Sequence, residues 1–136
     1  MDIAHHIALV EELCFRPFAA GHAHHEAELA VSHGLRGGDL AERAVTAEQY
    51  RKDRDALYDR LASRWGETEP YNLQTVLLRS AEEEIPGPWA SLSARADVAY
   101  LWEVTGTARW VALAVADRDV GDEVQLLAVV TEVAPP

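Results

Sequence analysis

Apolar side chains recur at helical spacing from the first residues. Ile3, Ile7, Val10 and Cys14 form one stripe with Leu13 beside it, while His5 and Glu12 face the other way. Asp2 is a natural N-cap, and Pro17 ends the pattern near Phe15 because it lacks a backbone donor and disfavours helix in Arg16. A second helix is predicted from Ala47 to Trp65. Tyr50, Leu57, Leu61 and Trp65 mark its buried face, Thr46 and Gln49 form a capping box, and Glu48 and Lys52 pair one turn apart. Gly66 then supplies the residue that commonly closes a helix. A third helix is expected from Asn72 to Glu84, with Leu73, Val76 and Leu77 on its apolar face. Pro86-Gly87-Pro88 breaks the chain, and Trp89 and Leu92 suit one short turn beyond it.

From Asp97 onward the period changes to two. Val98 to Val104, Arg109 to Ala116 and Val124 to Val133 read as strands, joined by a tight turn at Thr105-Gly106-Thr107 and a looser acidic one from Asp117 to Glu123. Such short connections favour antiparallel pairing. The turn leaves two registers open, with Trp102 opposite either Trp110 or Val111. The expected fold is therefore one α+β domain over 1–136, with helices over 2–84 packed on a three-stranded antiparallel meander over 97–133. The middle strand is apolar on both faces, Trp110, Ala112 and Ala114 on one and Val111, Leu113 and Val115 on the other. A sheet covered on one side alternates apolar with polar, so this one needs cover on both. A two-fold homodimer is the expected cover for the second face, and the remaining helices are the alternative.

Composition narrows the function classes. The apolar fraction is 49% and the charged fraction 26%, values of a globular chain and not of a disordered one. Acids outnumber bases 23 to 12, a formal charge of -11, which argues against nucleic acid and against an anionic membrane surface. Cys14 is the sole cysteine and forms no internal disulfide. No apolar run is long enough to span a bilayer, and the N-terminal residues lack the basic flank of a signal peptide, so a cytoplasmic protein is expected. Lys52 is the sole lysine, beside many arginines and alanines, a bias that suggests a GC-rich coding genome.

Arg64-Trp65-Gly66, Ile85-Pro86-Gly87-Pro88-Trp89, Asp97-Val98-Ala99-Tyr100-Leu101-Trp102, Arg109-Trp110-Val111-Ala112-Leu113 and Gln125-Leu126-Leu127-Ala128-Val129 together resemble small actinobacterial α+β proteins of unknown function. The resemblance does not reach Phe18 to Val45. It implies an α+β fold in a bacterial cytoplasm and carries over no catalytic residue.

Four of the six histidines lie between His22 and His33. On a helix from Gly21 to Leu35, His22, His25 and His33 would share a stripe with Glu26 alongside. Imidazoles and a carboxylate one turn apart can hold zinc or another divalent metal. The segment is not His-Glu-x-x-His, and a polar solvated connection explains it equally. Asp117 to Glu123 is rich in acids like a calcium loop but lacks the twelve-residue ligand spacing, so it reads as a turn. Glu82-Glu83-Glu84 places negative charge at a helix end, against the macrodipole, and is a candidate contact for a basic partner. Ser63, Ser80, Ser91 and Ser93 lie in no Gly-x-Ser-x-Gly elbow, and no glycine loop for phosphate follows a predicted strand. The expectation is a non-enzymatic acidic protein that binds a protein partner, immunity- or antitoxin-like, with no cofactor. The alternative is a metal-dependent or small-molecule enzyme built on His22, His25, Glu26 and His33.

Overall fold

Asp2 opens the first helix by accepting the amide proton of His5 at 3.0 Å, and α1 runs Ile3–Leu13. A computed structural model describes all 136 residues. After α1 come β1 (His24–Val31), α2 (Leu40–Trp65), β2 (Tyr71–Asn72), α3 (Leu73–Arg79), α4 (Gly87–Arg95), β3 (Val98–Glu103), β4 (Trp110–Ala116) and β5 (Gln125–Thr131). The strands form one antiparallel sheet in the order β1-β5-β4-β3-β2.

The α+β class and the β3-β4-β5 meander stand as expected, but the sheet has five strands, not three. The largest correction is β1, because a helix over Gly21 to Leu35 does not form. Ala and Glu favour helix by local propensity, yet Ala27 and Leu29 alternate with Glu26 and Glu28, and pairing with β5 decides the outcome. The other addition, β2, is a two-residue bridge from Tyr71 to Ala99 and Asn72 to Val98.

Helix bounds shift for local reasons. The long helix starts at Leu40 because Asp39 caps it, accepting from the amides of Ala41 and Glu42, and nothing between Leu40 and Thr46 breaks a helix. Thr46 is thus inside α2 and is not its cap. Gly66 closes it with a φ of 97°, as expected. The third helix stops at Arg79, short of Glu84, so the three acids fall beyond its end and not against its dipole.

β3 pairs with β4 so that Trp102 faces Val111, which settles the open register. On one face Trp102, Val111, Leu113, Leu126 and Ala128 meet Ile7 and Val10 of α1 and Leu57 and Leu61 of α2. On the other, Leu101, Ala112, Ala114, Leu127 and Val129 meet Leu73 and Val76 of α3 and Trp89 and Leu92 of α4. Each fully buried large side chain contributes about 1.5–3 kcal/mol relative to exposure. The face of Trp110, Ala112 and Ala114 is therefore covered within the chain, and the need for a second copy there disappears. No helix is long and apolar enough to cross a membrane.

Candidate functional site

The cover given by α3 and α4 stops short of β1, none of whose side chains enters that cluster. What β1 presents on that face is polar. The Glu26 carboxylate is gripped by both terminal nitrogens of Arg95, at 2.6 and 3.3 Å. Arg95 in turn donates to the carbonyl and hydroxyl of Ser91, which fixes it at the end of α4. Glu28 accepts from the side-chain amide of Gln125, a neutral partner, so its charge is not cancelled. Nearby, Arg118 pairs with Asp97 at 2.8 Å and donates to the Ala96 carbonyl. Between β1 and the β4–β5 loop lies a groove of about 310 Å³, lined by Glu28, Val31, Arg36, Arg95, Asp122, Glu123 and Gln125.

Two polar knots hold the loop that borders this groove, one buried at Arg43 and one half-buried at Glu123. Arg43, in the first turns of α2, is 6% exposed and sends its guanidinium into the β4–β5 loop. It donates to the carbonyls of Asp122 at 2.6 Å, Asp119 at 2.8 Å and Asp117 at 3.1 Å. The acid-rich turn is thus held by a cation of the protein itself, and Arg51 adds an ion pair to Asp117. The second knot is Glu123. One of its oxygens accepts from the Ser32 hydroxyl and the Leu35 amide, the other from the Arg36 amide. The Leu35 amide, then the Ser32 hydroxyl and the Arg36 amide, hold the Glu123 carboxyl below the usual glutamate range.

The proposed metal residues do not converge. His25 and Glu26 are strand neighbours and point to opposite faces. His25 stacks against Phe18, with ring centroids 4.8 Å apart, and its Nε2 lies 3.0 Å from the Arg16 carbonyl. Phe18 also lies 4.0 Å beneath the Arg109 guanidinium, which donates to the carbonyls of Leu13 and Arg16. His25 therefore belongs to a clasp at the end of α1. His22 and His33 are exposed in the turns before and after β1. No group of three or more His, Cys, Asp or Glu side chains is arranged to hold a metal ion. Glu82, Glu83 and Glu84 are exposed in the turn after α3, where Glu83 pairs with Arg79. Cys14 is buried, and burial pushes its thiol up to about 11.

Sequence reasoning missed Arg43, Arg95 and Glu123. Arg43 did carry a signal, because it shares the helical stripe of Ala47, Leu57 and Leu61, all buried. Comparison with protein-family models, curated proteins and solved structures finds no match.

Proposed function

We propose that this chain is a non-enzymatic acidic interaction protein of the bacterial cytoplasm, whose ligand is a basic protein, in the manner of an immunity protein or antitoxin. The observation that carries the reading is how the bases are engaged. Arg16, Arg51, Arg54, Arg64, Arg79, Arg95 and Arg118 each pair with a carboxylate of the chain. Arg43 and Arg109 are held by backbone carbonyls. Few cations remain to meet an outside anion, whereas Glu28, Glu42, Glu69, Glu82, Glu84 and Asp122 stay exposed without a cationic partner. A surface of this kind accelerates encounter with a basic patch and disfavours acidic competitors.

The test is capture from native lysate followed by a salt series on the purified complex. The reading expects a basic protein whose association rate falls steeply as ionic strength rises. A captured partner with a neutral interface and a salt-independent rate would overturn it, as would no specific partner.

A further inference from the structure

The sheet ends differently on its two sides. Beyond β3 the edge is shortened by β2 and by the segment at Gly66, whose carbonyl accepts from the Trp102 indole. Beyond β1 there is no strand at all, and β1 spans His24–Val31. The α1–β1 connection reaches that strand through His25, and the β1–α2 connection folds away toward Glu123 and Val120. The outward amides and carbonyls of His24 to Glu28, ahead of the register shift, are therefore free to pair.

We propose that this edge takes an added strand from the basic partner, with a lysine or arginine of that strand opposite Glu28. The inference rests on the acidic-binder reading and names the surface that would serve it. Pairing of β1 with β5 is regular from His24 to Glu28 and shifts register before Ala30, so the run open to an added strand ends at Glu28. There Glu28 has a neutral amide as partner. The groove just beyond sets Asp122 and Glu123 against Arg36 and Arg95, of which Arg95 is already paired with Glu26, so the carboxylates stay in excess. Glu26 is already neutralised by Arg95, which places the demand for a cation at the Glu28 end. On the opposite face of β1, Ala27 and Leu29 join the main core, so alternate apolar residues of the added strand would extend it.

A second copy is the poorer occupant. Two-fold antiparallel pairing centred on Glu26, on Ala27 or on Glu28 in each case sets a glutamate directly opposite a glutamate. Bulges and charges at an edge are known means of blocking self-pairing, and β1 carries both.

The probes are eight-residue capped peptides. One alternates valine with lysine, one alternates valine with glutamate, and two further lysine peptides are N-methylated along one or the other backbone edge. Binding to the ¹⁵N-labelled full chain is read by amide shifts and hydrogen exchange at low salt. The lysine peptide is expected to shift and protect His24 to Glu28, and one N-methylated form to lose about tenfold or more in affinity. Glu28→Lys is expected to exchange the preference from the lysine to the glutamate peptide. If the lysine peptide binds but β1 amides do not respond, or both N-methylated forms bind unchanged, the edge proposal fails while the acidic-binder reading survives. If no lysine peptide binds in any form, both fail. Concentration-dependent protection of β1 in the free protein would assign the edge to a second copy and overturn the proposal.

Discussion

The indole Nε1–H of Trp102 donates to the carbonyl of Gly66 at 2.8 Å, tying β3 to the residue that ends α2. Trp102 is 3% exposed, and its ring also meets those of Tyr58 and Trp65. Trp102→Ala should therefore destabilise by about 3–5 kcal/mol. Trp102→Phe, which keeps an aromatic ring but loses the hydrogen bond and part of the indole's volume, should cost less, about 2–3 kcal/mol. Trp65 is only half-buried, so Trp65→Ala should cost less than Trp102→Ala. Urea denaturation of the three variants gives the order directly, and a larger loss at Trp65 would refute it.

Arg43 is a buried cation held by three carbonyls of the β4–β5 loop. Arg43→Met keeps the volume and removes every donor, leaving those carbonyls to find water. A loss of about 2–4 kcal/mol is expected, with faster amide exchange at Asp119 to Glu123. Arg43→Lys should fall between, since a single ammonium cannot match the fork of a guanidinium. Equal stability of Arg43→Met and the parent chain would show that the loop does not depend on the clamp.

Glu123 has a folded-state pKa below its ordinary value, so its contribution is present above the ordinary glutamate range and is lost as pH falls through the folded value. Glu123→Gln should be less stable than the parent at neutral pH, because an amide offers one acceptor oxygen to the site that now serves two. The gap should narrow as pH drops below the ordinary glutamate range. Denaturation midpoints from neutral pH down to the acid limb check this. A gap that stays constant would mean the carboxylate charge is not what binds Ser32, Leu35 and Arg36.

The three C-terminal strands were legible because their alternation and their turns are local. The end of α2 at Gly66 was legible for the same reason. The double cover of the sheet also followed from β4, whose two faces are both apolar. Strand β1 was hidden, since His24 to Val31 is built from helix-favouring Glu and Ala and pairs with residues from the far end of the chain. Arg43 lies on the stripe of Ala47, Leu57 and Leu61, but a charged side chain there reads as a surface position until its partners are known. Its partners are backbone carbonyls, which no residue type announces.

Cys14 sits on the α1 stripe, where its thiol donates to the Val10 carbonyl and burial raises its pKa to about 11. Since thiolate is the reactive form, alkylation of the folded chain at pH 8 should run roughly 100-fold or more slower than in denaturant. Timed labelling with iodoacetamide measures both rates. Comparable rates would place Cys14 at the surface.

Trp89 is fully buried, and its Nε1–H donates to the Val133 carbonyl at 2.9 Å. It shares the cluster over the small side chains Ala112 and Ala114 with Leu73, Val76 and Leu92, and is the largest side chain among those that cover this face of β4. With that cover in place, light scattering at micromolar concentration should give the mass of one chain, unchanged on dilution. Trp89→Ala removes its largest side chain at a cost of about 3–5 kcal/mol. A contiguous apolar patch on the order of several hundred Å² invites association. The variant should therefore show a mass that rises with concentration, even where it remains folded by circular dichroism. If the parent chain is dimeric and Trp89→Ala leaves that mass unchanged, the contact lies elsewhere and α4 is not what keeps this face to itself.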